Sequence, residues 1–106
     1  MKIVRRELER STIDDFADKH GLVMEIHERS SEASPRRWYA HFFSAEVSQG
    51  NFLCGTFGDG PSEEDAVRDY AKQISGKLLV INAMEPERRE IPVPVLIESV
   101  GDKEKR

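Results

Sequence analysis

Three histidines, one cysteine and a glycine-rich stretch are the residues on which chemistry could be built. In "GTFGDGPSEEDAVRDYAKQISGK", residues 55 to 77, glycines precede a helix start and the stretch closes on Gly-Lys, the ingredients of an anion cradle. The spacing is wrong for one. Lys77 follows the helix instead of opening it, so the G-x-x-x-x-G-K-[ST] pattern is absent. Asp59, Glu63, Glu64 and Asp65 crowd the same end, satisfy the helix dipole and repel phosphate. Gly58 and Gly60 therefore read as a structural turn, with glycine supplying positive backbone angles. Ser62 reads as the N-cap, three residues before Asp65, and Gly76 as the residue that ends the helix.

His20 falls at the end of another helical stretch, where a cation complements the negative pole. His27 and His41 fall on the polar parity of two strands and can meet across a hairpin, with Glu25 beside them. A zinc or catalytic site needs more converging ligands than this, so no metal and no cofactor is expected. Cys54, between Leu53 and Gly55, reads as a small buried hydrophobe rather than a nucleophile. No Ser-His-Asp or Cys-His order suggests a triad, and Asp14 and Asp15 are accounted for as helix-capping acids. No residue pattern calls for an enzyme.

The elements that position these residues follow from periodicity. "STIDDFADKHGL" has Ser11 as N-cap, Ile13, Phe16, Ala17 and His20 on one stripe, and Gly21 as a left-handed stop. "LVMEIHER" alternates, as a strand with one buried face does. "RRWYAHFFSAEV" reads as a longer strand, joined by the tight "SQGN" connection to "FLCGTF". Two hairpins in series make a three-stranded antiparallel meander. The helix after "GDGP" buries Val67, Tyr70, Ala71 and Ile74, and "KLLVINA" is a short buried strand. Pro92 and Pro94 of "IPVPVLI" share parity, so their missing N–H groups lie along one edge. That segment is an edge strand or an extended cover.

With 106 residues, 38% hydrophobic and 34% charged, the chain has the size and composition of one soluble α+β domain spanning 1–106. The net charge of -4 argues against a protein devoted to neutralising phosphates. Residues 1–10, with four basic and two acidic side chains, read as a flexible basic arm, and 101–106 as a frayed tail. A single cysteine fits a reducing cytoplasm, and no apolar run suits a membrane span or signal peptide.

The order helix, three strands, helix resembles the double-stranded RNA-binding domain fold and the HicB-like antitoxins that share it. "YAHFFSAEVSQGNFLCGTFGDGPSEEDAVRDYAKQI", about a third of the chain, is similar to the HicB pattern of two strands, a Gly-Asp turn, a capping hydroxyl, acids and an alanine-led helix. "DFADKHGL", "RWYA" and "YAKQISGKLLV" also resemble small proteins encoded by phages and prophages of enteric bacteria. The resemblance implies an α-β-β-β-α core with both helices on one sheet face. It does not bring double-stranded RNA with it, because residues 11–21 and 62–76 each sum to -2 and the second helix opens on "SEED".

Function is expected on the other sheet face. Trp38, Ala40 and Phe42 share one parity of their strand, and Tyr39, His41 and Phe43 the other, so helices on one side leave one set to be covered by the C-terminal segment or a second molecule. The leading expectation is a non-enzymatic phage accessory or antitoxin-like module whose binding surface is His27, Tyr39, His41 and Phe43, acting through protein contacts. Its partner is a second copy in a symmetric homodimer or another protein. The alternative is nucleic-acid binding through that face and the basic residues Arg5, Arg6, Arg10, Arg36 and Arg37. A hydrolase or nuclease built on His27 and His41 ranks last.

Overall fold

Gly21, at φ 64, ends the first helix with its N–H turned back to Ala17 and Asp18, and the chain passes from helical to strand periodicity there. The computed structural model describes residues 10–30 and 35–97. They form β1 (Arg10–Thr12), α1 (Ile13–His20), β2 (Met24–Glu28), β3 (Trp38–Phe42), β4 (Ala45–Gln49), β5 (Phe52–Cys54) and β6 (Gly58–Gly60). α2 (Glu63–Ile74), β7 (Leu78–Ile81), β8 (Arg89–Pro92) and β9 (Val95–Ile97) follow. The expected basic arm, apart from Arg10, and the tail lie outside the described residues.

The α+β class is as expected, with two helices and antiparallel sheets in the orders β2-β3-β6 and β5-β4-β7-β8. The long expected strand is broken in two, and the third expected strand stops at Cys54, with β6 formed by residues expected as a turn. Ser44 takes a left-handed φ of 58, a conformation that costs a non-glycine residue about 1 kcal/mol or more, and it turns β4 away from β3. The returning strand breaks across Gly55–Phe57. One bent hairpin, closed by the two-residue Gly50–Asn51 turn with Gly50 at φ 64, thus contributes to both sheets. β7 is the buried strand expected from "KLLVINA", lying between β4 and β8.

"IPVPVLI" is an edge, as its prolines require. β8 borders the second sheet, and Val93, between the two prolines, exchanges inward hydrogen bonds with Gly76 and Lys77. The chain then bends at Pro94, and β9 pairs in parallel with β1. The first cap lies one residue later than expected. Ser11 and Thr12 both pair with β9, but the Ser11 hydroxyl donates to the Thr12 carbonyl at 3.0 Å, while Thr12 caps α1, its hydroxyl accepting from the Asp15 N–H at 3.1 Å.

The core is assembled around Phe42. Phe16 of α1 and Tyr70 of α2 both reach its ring, at centroid separations of 6.2 and 5.4 Å. Val47, Ile74, Leu79, Ile81, Ile91 and Val93 complete the cluster. Burial pushes the Tyr70 phenol above its ordinary pKa, opposed in part by a hydrogen bond from the backbone of Phe42.

The glycines before α2 have a different role from the one their sequence suggests. Gly58 and Gly60 form a strand rather than a turn, and neither is among the positive-φ glycines. They are small because α2 lies directly on β6. A Cβ at Gly58 would fall 2.1 Å from the Tyr70 backbone nitrogen, and one at Gly60 would fall 2.6 Å from the Asp65 Cβ. Gly76, by contrast, does take a positive φ of 74 just after the helix.

Ser62 caps α2 as its spacing indicates, accepting from the Asp65 N–H at 3.1 Å and donating to Asp65 Oδ2 at 2.9 Å. Ser62→Ala should lower stability by about 1 kcal/mol in urea unfolding. An unchanged midpoint would show that the cap contributes nothing.

Candidate functional site

Strand alternation sorts β2 and β3 between two environments. Met24, Ala40 and Phe42 turn toward the helices, while Glu25, His27, Tyr39 and His41 turn the other way. Antiparallel register places Glu25 opposite His41, His27 opposite Tyr39, and Tyr39 opposite Asp59 of β6. A cluster of flat groups results. The rings of His27, Tyr39 and His41 are near parallel, within 17–19° of one another, and their centroids form a triangle with His27 4.8 Å from Tyr39, His27 5.4 Å from His41 and Tyr39 6.4 Å from His41. The Arg29 guanidinium lies 4.8 Å from the Tyr39 centroid and 5.8 Å from that of Phe57, whose edge meets Tyr39. Each such contact contributes roughly 0.5–1 kcal/mol.

The second helix fixes one side of this cluster from behind. Asp69 of α2 accepts from the Asp59 backbone N–H at 2.9 Å and from Gln73 at 3.0 Å, and Gln73 also donates to the Phe57 carbonyl at 2.9 Å. Arg29 is held by its own N–H to the Arg37 carbonyl, by a guanidinium bond to the Arg36 carbonyl and by Asp59 at 3.9 Å. At the other end the ladder continues through the Phe43 N–H to the Val23 carbonyl, and both side chains are exposed, Phe43 to 53% and Val23 to 64%. The four residues of the expected surface, His27, Tyr39, His41 and Phe43, therefore share one face. β8 and β9 do not lie over it; they extend the second sheet and pair with β1, with Ile91 and Val93 in the core.

Glu25 sits between the histidines. Its Oε1 is 3.5 Å from His27 Nε2 and 3.7 Å from His41 Nε2. His41 Nδ1 lies 3.0 Å from the Phe42 carbonyl oxygen. A carbonyl can only accept, so Nδ1 carries a hydrogen, and in the neutral form of the ring Nε2 is the nitrogen with the lone pair. The structure thus brings these three side chains closer together than the sequence alone required.

Of the expected basic patch, only Arg36 and Arg37 have described side chains. Arg36 lies 4.0 Å from Asp59 and Arg37 pairs with Glu28, so carboxylates from neighbouring strands engage both. Arg37 also lies over the Trp38 ring at 5.9 Å. Arg10 opens β1, and Arg5 and Arg6 lie outside the described residues. Asp59 is turned to the sheet face and its arginines, so it does not crowd the start of α2 as its sequence position suggested. Cys54 is half-buried on β5 rather than buried. His20 closes α1 with its ring 4.8 Å from Phe16.

Arg29 and Phe57 were not singled out in the sequence. Arg29 could have been, since it shares the parity of His27; Phe57 lies in the break between β5 and β6, where no alternation applies. Among the described residues no helix is long and apolar enough to cross a membrane. Comparison with protein-family models, curated proteins and solved structures finds no match to this chain.

Proposed function

We propose that the protein is a non-enzymatic binding module that acts through protein contacts made by the β2-β3-β6 face, and that a second copy of the chain is its first partner. The carrying observation is the ordered cluster of His27, His41, Tyr39, Arg29 and Phe57, bordered by exposed Phe43 and Val23 on a face the helices leave uncovered. Charge favours protein over nucleic acid as the occupant. Glu25 and Asp59 stand on the face beside Arg29, so both signs are present, and a two-fold axis can set one copy's cation against the other's carboxylate. The histidines face one another and a carboxylate rather than a hydroxyl or thiol, which supports a binding role over a hydrolytic one. The antitoxin-like relation and the place among phage or prophage accessory proteins rest on the resemblance of the sequence segments, and the order of helix, bent three-stranded meander and helix is in keeping with the core that resemblance implies. The acidic first turn of α2 speaks against that helix meeting RNA.

Arg29 stacked on Tyr39 is the feature that favours the alternative of single-stranded nucleic acid. Sedimentation over a concentration series, with Phe43→Ala and Tyr39→Ala beside the parent, should show a dimer that both substitutions weaken. Retention on oligonucleotides should be negligible and insensitive to salt. A strictly monomeric chain at high micromolar concentration, or salt-sensitive oligonucleotide binding lost in Tyr39→Ala, would overturn the protein-contact reading.

A further inference from the structure

We propose that Glu25, His27 and His41 form a binding site for one divalent transition-metal ion of the class that takes imidazole and carboxylate together, such as Zn2+. One donor atom from each of the three residues lies within 4.8 Å of the other two. In a tetrahedral site with bonds of about 2.0–2.1 Å, donors stand roughly 3.3 Å apart. The carboxylate oxygen is already 3.5 Å from one imidazole Nε2 and 3.7 Å from the other. The two imidazole planes are 17° apart, so coordination requires side-chain rotations that turn both Nε2 atoms toward the carboxylate oxygen at one centre.

Three further features suit an ion. Glu25 and His41 are directly opposed in register and His27 is two residues along the same strand as Glu25, so the ligands stand on paired strands rather than a loop. The bond from His41 Nδ1 to the Phe42 carbonyl is the outer-shell contact that orients a ligating imidazole and points its Nε2 lone pair at the metal. The Glu25 carboxylate supplies a negative charge at the centre, while Arg29 lies against Tyr39 and is engaged by Asp59. Two nitrogens and one oxygen select zinc, cobalt, nickel or copper over magnesium and calcium, which take oxygen donors. All three ligands are partly exposed, so the remaining coordination position opens to solvent, where water or a donor from a docked molecule completes the shell. All three ligands come from one chain, so ion binding is measured separately from the docking proposed for the same face.

The test uses the full chain without an affinity tag. Titration with Zn2+ by calorimetry, and with Co2+ by visible absorption, should saturate at one ion per chain with a low-micromolar Kd and a tetrahedral Co2+ spectrum. Mg2+ should give no saturable signal. Glu25→Gln, His27→Ala and His41→Ala should each weaken Zn2+ binding at least about 100-fold, the upper end of what losing a supporting contact costs. His20→Ala should bind as the parent does. Glu25→Gln keeps the size of a partly exposed side chain, so it reads the site even if a histidine variant folds poorly. Absence of saturation below about 1 mM Zn2+, saturation by Mg2+, or parent-like Zn2+ binding in Glu25→Gln and His41→Ala would overturn the assignment.

Discussion

Gly58→Ala should remove about 3 kcal/mol or more of stability, enough to unfold a marginal domain at ordinary temperature. The added Cβ would lie 2.1 Å from the Tyr70 nitrogen, 2.4 Å from the Ala66 carbonyl oxygen and 2.6 Å from the Tyr70 Cα. All three are backbone atoms of one helix, so no side-chain rotation relieves the overlap. Either α2 lifts from β6, taking Tyr70 and Ile74 out of the core, or β6 leaves β3. Gly55→Ala is the control, because no atom lies within 4 Å of a Cβ there and its backbone is not left-handed. Thermal and urea unfolding of the pair should separate them widely. Equal stabilities would refute the close packing of α2 on β6.

The second large effect divides two adjacent phenylalanines. Phe42→Ala should cost about 3–5 kcal/mol, since its ring is fully buried between Phe16 and Tyr70 and the cavity left is bounded by two helices that cannot both close on it. Phe43→Ala, one residue on and of opposite parity, should change monomer stability by no more than about 0.5 kcal/mol. Denaturant midpoints measured at low protein concentration, where self-association does not contribute, read the difference directly. Comparable losses at both positions would mean that the face carrying Phe43 is covered within the chain.

Elements governed by local periodicity were legible in the sequence. α2 with its Ser62 cap, the parity of Tyr39 and His41 against Ala40 and Phe42, and the edge character imposed by Pro92 and Pro94 each follow from bonds or faces set within a few residues. Features decided by tertiary partners were not. Ser11 is an adequate cap in isolation, and Thr12, the adjoining hydroxyl, takes the role where β1, paired with β9, runs into the helix. The left-handed Ser44 that splits the long strand is held by the Asn82 N–H on its carbonyl, from a residue distant in sequence. Gly58 and Gly60 drew attention correctly but for the wrong cause, since glycine marks both a positive φ and a close neighbour, and sequence does not distinguish the two. The same holds for the binding face. Alternation predicts that His27 and His41 share it, whereas Phe57 arrives through the support of Gln73 across from the helix.

The parallel pairing of β1 with β9 has a mechanical meaning. Nearly the whole described chain lies between these two strands, in a loop whose neck is three residue pairs from Arg10 with Val95 to Thr12 with Ile97. Tension entering before β1 and leaving after β9 pulls the two strands along their length in opposite directions. Their hydrogen bonds are then strained together in shear rather than opened one at a time, as they would be if the strands ran antiparallel. The core enclosed by the loop is shielded from the pull until that neck slips, so resistance to extension is set by the barrier to sliding a short ladder and not by the equilibrium stability of the domain behind it.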